Sequence, residues 1–568
     1  MVVLWISFKT NFIFFSFHER HCDTRLELHS TWFVKTLSKM DSQNLLHEAV
    51  EDGNVEFLVQ QIEKGVVDIN EGKSNGVTLM DTAVSNDKFK VVKMFLEKRA
   101  KLDQQTKGFG MQLPLHLATY KGCNEIVKLF LENGAEANIA INGITPLHFA
   151  ISNCNYETID LLLKKTNNVN SKDDSKGFSS LHLAVTTHPQ GKSKTKFAKH
   201  LEMVYGDSKQ NDMMTQSHRA DMVKTLLQRG ANYDEKTKMN QTPLLLATEN
   251  GFLEAAKILI EKGAKVNVQD NRKFTPLHNA LFFDNEEFIK FLIDQNASVN
   301  VSSVNGTFPI HVASKNGHAK IVKLLIDHGA DIEVIDIIEH NKPIHYAARF
   351  GQLKVAKLLL ENGTNINERN KIGERPITLA VHNGQLEMTK LLIQNGAELN
   401  FNDNDHLIPL HFAVSDGTNI TRLKAIVMSC ILNGMKFCEC THKFFQGSGI
   451  YVPEEIVDVL IRNGADVDLW NKADNHLPLF HISMIVNTKI LSRLLLYSKV
   501  DINAMSFKDE TLLHFAIRLG LTESIKILIQ HGASLNSKIG DKNTPLELVL
   551  GKKHPNDLKR ILYLQQDF

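Results

Sequence analysis

The sequence has 568 residues, 43% hydrophobic and 23% charged. This is a soluble globular composition on a chain too long for one ordinary core, so several domains or a repeat array are expected. With 65 Lys and Arg against 64 Asp and Glu the net charge is +1, which removes the electrostatic reason to expect nucleic acid or an anionic membrane as partner. The cysteines, Cys22, Cys123, Cys154, Cys430, Cys438 and Cys440, lack the even spacing of a secreted disulfide framework and point to a reducing, cytoplasmic location.

The first 39 residues differ from the rest. Their apolar run MVVLWISFKTNFIFFSF is interrupted at Lys9, Thr10 and Asn11, follows no basic region and precedes no clear small-residue cleavage site. It is too short and broken to span a bilayer. Because Met40 directly precedes the first patterned stretch, residues 1–39 are expected to be disordered or to lie ahead of the true start. A signal sequence or anchor is the other reading, and it would place the protein outside the cell.

From there one string keeps returning. GITPLHFAISN begins at Gly143, QTPLLLATENG at Gln241, FTPLHNALFFD at Phe274, FPIHVASKNG at Phe308, KPIHYAARFG at Lys342 and RPITLAVHNG at Arg375. Aligned on the third residue of its TPLH-like core it falls at 46, 80, 115, 147, 181, 244, 277, 310, 344, 377, 410, 479, 513 and 546, with most steps between 32 and 35. A fixed period of that size marks stacked helix-turn-helix units, each able to bury its apolar side only against a neighbour.

Residues 306–333 show the physics of one unit. Pro309 suits a first helical turn, where a missing N–H is harmless. Ile310, Val312 and Ala313 supply the packed side of a short first helix, which Gly317 ends. Ile321, Val322, Leu324, Leu325 and Ile326 form the stripe of a second helix, and Gly329 stops it.

The string and its partner segments, EIVKLFLENGAEAN from Glu125, KIVKLLIDHGADIE from Lys320 and KVAKLLLENGTNIN from Lys354, resemble the ankyrin repeat family from about Ser42 to Leu564. The resemblance implies an all-α ankyrin-repeat solenoid of about 13–14 helix-turn-helix units with two inserted loops. It also implies a non-catalytic module that binds or scaffolds proteins. His116, His148, His182, His278, His311, His345, His411 and His514 recur once per unit, and the family makes such histidines architectural bridges from turn to neighbouring unit. A targeting subunit of a separate enzyme and a secreted, toxin-like effector are the other functional readings.

The period breaks twice, between 181 and 244 and between 410 and 479. The organisation expected is repeats over 40–188, an insertion over 189–219, repeats over 220–417, an insertion or degenerate repeat over 418–453, and repeats with a cap over 454–568. Lys192, Lys194, Lys196 and Lys199 in the first insertion are a weak nuclear-import patch and more often a solvated loop. Cys438, Cys440 and His442 match no usual zinc spacing. NDND at 402–405 lacks the glycine and terminal glutamate of a calcium loop. No phosphate loop, dinucleotide fingerprint, HExxH or nucleophile elbow occurs, so no enzyme, cofactor or metal is expected.

In the family the partner lies along the concave face built by the finger-like turns and the exposed ends of the first helices. Carried onto this chain, helix ends give Tyr120 with Lys121, Phe282, Phe283, Lys315, Arg349, Phe350 and His382. The turns give Arg272, Lys273, Phe274, Ile337, Ile338 and Trp470. Exposed aromatic, aliphatic and Arg side chains are hot-spot types, so a monomer engaging a protein segment around Arg272–Phe274, Phe282, Phe283, Arg349 and Phe350 is expected. The competing reading folds these aromatics onto neighbouring units.

Overall fold

The computed structural model describes residues 43–65, 68–70, 72, 76–103, 113–186, 216–282, 285–404, 407–415, 453–467, 479–499, 501–504, 510–538 and 544–551, and two short strands. The strands, Ser7–Phe8 and Asn11–Phe12, pair antiparallel. Everything else regular among the described residues is helical, an all-α ankyrin-type solenoid. Phe283, Trp470, Cys438, Cys440, His442 and residues 189–215 and 418–452 of the two insertions lie outside the described residues, whereas residues 216–219, expected in the first insertion, already belong to the helix Gln216–Gln228.

The helices form two compact units, Met1–Lys265 and Val266–Phe568. In the first, a helix over 43–52 pairs with Val55–Glu63. Four further pairs begin at Leu79–Ser85, Pro114–Lys121, Pro146–Ser152 and Pro243–Glu249. The remaining pair of this unit joins Ser180–Ala184 to Gln216–Gln228, which pack together although the first insertion separates them. The second unit runs in pairs from Pro276–Ala280 to Thr522–Gln530, followed by Pro545–Gly551. There, Pro409–Val414 packs against Glu454–Arg462 across the second insertion.

The Pro309–Asn316 helix starts on its proline and ends at Gly317, whose φ of +81° is cheap only for glycine. The helix Ala319–Asp327 then buries Ile321, Val322 and Leu325 completely, each contributing about 1.5–3 kcal/mol. Leu324 and Ile326 of the expected stripe sit half-buried at its margins.

Neighbouring pairs are also tied by asparagines. Asn300 Nδ2 donates to Gly329 O at 2.8 Å while its Oδ1 accepts the Asp331 N–H at 3.0 Å. Asn170 makes the same two bonds to Gly230 and Asn232, 60 and 62 residues on, and Asn400 makes them to Gly464 and Asp466. Across both insertions the next second helix therefore docks where an uninterrupted unit would place it.

Candidate protein-binding surface

The turns between units are fingers, and each is shaped by one polar side chain near its start. Asp270 Oδ1 accepts the N–H groups of Arg272 and Phe274, both at 2.8 Å. Asp336 accepts from Ile338, Glu339 and Asn341, and Asn370 from Ile372 and Glu374. Short acceptors of this kind replace the missing backbone partners of a tight turn. In the second unit the tips are bonded in series: Val304 N–H to Arg272 O, Ile337 N–H to Asn305 O, Lys371 N–H to Glu339 O and Asn404 N–H to Ile372 O, at 2.8–3.1 Å.

The repeated histidines brace the fingers. His345 Nδ1 accepts the Lys342 N–H at 3.1 Å, and its Nε2 faces Glu368 O at 3.2 Å. A carbonyl only accepts, so Nε2 carries the proton and the ring is neutral. His278 and His311 repeat this toward Thr307 O and Val334 O. Burial pushes His182, His278, His311 and His345 down to about 4. Such histidines hold structure; they are poor bases and have no access to a substrate.

At Thr378 the histidine is absent, and Arg375 instead lays its guanidinium over the Phe401 ring at 4.1 Å.

Several of the sequence-selected residues come together in the second unit. Arg272 is exposed, bonds Asp270 at 3.0 Å and covers the Phe274 ring at 4.7 Å. Phe274, half-buried, stacks on His278 and lies 6.3 Å from Phe282, which is 59% exposed. Lys273 holds a φ of +58° at its tip. Ile337 and Ile338 are 63% and 59% exposed. Lys315 sits 5.3 Å above the exposed Phe350 ring.

Other positions differ from expectation. Tyr120, placed at the surface by its register, is only 3% exposed, because Phe149 of the next pair packs edge-on against it at 6.0 Å. Lys121 is buried with it. Arg349 is half-buried and pairs with Glu339 at 2.8 Å. His382 is half-buried against Phe412. Val304 and Ile372 are exposed tip residues that sequence inspection passed over, although Val304 shares the register of Ile337.

No group of three or more His, Cys, Asp or Glu among the described residues could hold a metal ion, and no helix among them is long and apolar enough to cross a membrane.

The family profile described as "Ankyrin repeats (3 copies)" matches residues 112–199, 213–303, 297–370, 344–429 and 450–539. The chain belongs to the ankyrin-repeat family. Repeats of this family are protein–protein interaction modules, generally without catalysis. The chain is similar to alpha-latrocrustotoxin-Lt1a of Latrodectus tredecimguttatus, 35% identical over 115 residues, and to the E3 ubiquitin-protein ligase XBAT33 of Arabidopsis thaliana, 36% over 113. It is also similar to transient receptor potential cation channel subfamily A member 1 of Homo sapiens, 31% over 127 residues. These matches cover 20%, 20% and 21% of this chain but 8%, 22% and 11% of the respective relatives.

Proposed function

We propose that this ankyrin-repeat chain is a non-catalytic scaffold that binds a protein partner along the fingers and first-helix ends of its second unit. The observation that carries the reading is the series of hydrogen-bonded tips with Phe282, Ile337, Ile338 and Phe350 exposed beside them. Large apolar side chains held rigidly at the surface bind with little ordering cost, and aromatic and aliphatic anchors dominate interface energies. The buried, neutral histidines support a structural use for the groups that would otherwise invite a catalytic reading. The scattered cysteines favour a cytoplasmic location in this reading.

The test is affinity capture from the protein's own cells with the full chain, beside a Phe282→Ala/Phe350→Ala variant, with bound proteins identified by mass spectrometry. Proteins retained by the first and lost by the second, with equal circular dichroism, support the reading. An unchanged set of bound proteins removes this surface from consideration.

A further inference from the structure

Three consecutive fingers of the second unit carry aliphatic side chains at their tips that packing within the fold does not use. Val304 is 52% exposed and Ile372 56%, joining the exposed Ile337 and Ile338. The tip-to-tip backbone bonds tie the fingers that carry them edge to edge, so these side chains follow one another from finger to finger. Exposed apolar residues scattered singly are ordinary; an ordered row of them on a rigid ridge is the mark of a contact surface.

Cations stand exposed beside the row. Arg369 and Lys371 are exposed on the last of these fingers, and Lys273 on the finger that precedes the first. The acids are turned inward or meet a cation: Asp270, Asp336 and Glu374 are buried, Glu339 meets Arg349 at 2.8 Å, and Glu333 and Glu368 share Lys342 at 2.7 and 3.1 Å. A ridge that is apolar along its crest and cationic at its sides is complementary to a chain with apolar side chains among carboxylates. A phosphodiester backbone would satisfy the cations and leave the isoleucines wet.

We propose that the tips from Lys273 to Ile372 bind an acidic segment of another protein bearing aliphatic or aromatic side chains. The proposal rests on the binding surface assigned above and adds the chemistry of its partner.

The experiment pans a phage library of short random peptides on the full chain, on an Ile337→Ser/Ile338→Ser/Ile372→Ser variant and on a Lys273→Glu/Lys371→Glu variant. Enriched peptides are then synthesised with fluorescein and titrated by anisotropy. The expected peptides combine Asp or Glu with Leu, Ile, Val or Phe. Each variant should weaken them roughly ten-fold or more, and added salt should weaken them further. Enriched peptides that are neutral or basic, yet still lost in the isoleucine variant, overturn the acidic chemistry and leave the binding surface standing. Peptides that bind both variants like the parent, or a selection that enriches nothing over bare support, overturn both. A labelled oligothymidine that binds the parent, is lost with Lys273→Glu/Lys371→Glu and ignores the isoleucine variant overturns the proposal in favour of nucleic acid. Circular dichroism of both variants, altered only at exposed tips, keeps folding separate from binding.

Discussion

Arg219 Nη1 donates to Ala184 O at 2.7 Å, closing the ends of the first insertion on each other. The guanidinium, 1% exposed, also lies over the Phe252 ring at 3.9 Å. Ala184 is the last residue of its helix, so its carbonyl has no partner within that helix and needs one from outside. Arg219→Ala removes the donor and the stacked surface together and should destabilise this region by about 2–4 kcal/mol. Arg219→Met keeps volume over Phe252 and should cost less, since a buried charge is replaced by apolar atoms. Hydrogen exchange of Gln216–Gln228 in the two variants decides it; equal protection in both and in the parent would refute the clamp.

Acid should melt the array. His182, His278, His311 and His345 fall from an ordinary 6.5 to about 4 through burial, so between those values the unfolded chain binds more protons than the folded one. Stability is full above about 6.5 and is lost as pH falls toward about 4. Asp81 acts with the opposite sign: burial raises it to about 6, so its protonation favours the fold as pH drops through that value. Burial also raises Glu374, with the same sign as Asp81, but it lowers His116 to about 4 and His148 and His382 below their ordinary value, so the histidines outnumber the acids and stay in control. Helical ellipticity followed from neutral pH to about 4 should fall steeply, and a flat profile would contradict the assignment.

Gly306→Ala should harm the fingers more than Gly329→Ala. Both glycines have positive φ, +72° and +82°. A Cβ on Gly306 would come within 2.6 Å of the Ile337 backbone nitrogen, whereas at Gly329 it would meet nothing within 4 Å. The second change therefore carries conformational strain alone, about 1 kcal/mol, and the first should cost about 1–3 kcal/mol and disturb the Ile337–Asn305 bond. Thermal unfolding of the two variants ranks them; the reverse order would show that the tips yield freely.

Phe350→Ala should separate binding from folding. The ring is exposed beneath Lys315, so stability should change by no more than about 0.5 kcal/mol while partner capture falls. A large loss of thermal stability would instead mark Phe350 as part of the packing.

The repeat itself was legible because a period written in Pro, His and Gly reports backbone demands that each unit must meet. The exposure of Ile337, Ile338 and Phe282 could be read the same way, from register alone. Tyr120 could not, because its burial depends on Phe149, a bulky residue one unit later whose direction no local pattern encodes. Arg349 was misjudged for a similar reason: its partner Glu339 lies in a finger one residue longer than its neighbours, which shifts which side chains meet. Val304 was missed among polar neighbours, although counting back the same number of residues from His311 and from His345 reaches Val304 and Ile338. Arg219 carried no signal at all, since its role arises only once Ala184 and Phe252 are brought beside it.

The asparagine ties have a mechanical consequence. In an ordinary step Asn300 reaches Gly329 over 29 residues, yet Asn170 reaches Gly230 over 60 and Asn400 reaches Gly464 over 64 through the same bond. Tension applied within either unit passes from one pair to the next through these side chains and the packed helices around them, bypassing the longer covalent path. Cutting the chain inside either insertion should therefore leave the path of the tension intact, whereas changing the single Asn170 or Asn400 would weaken it.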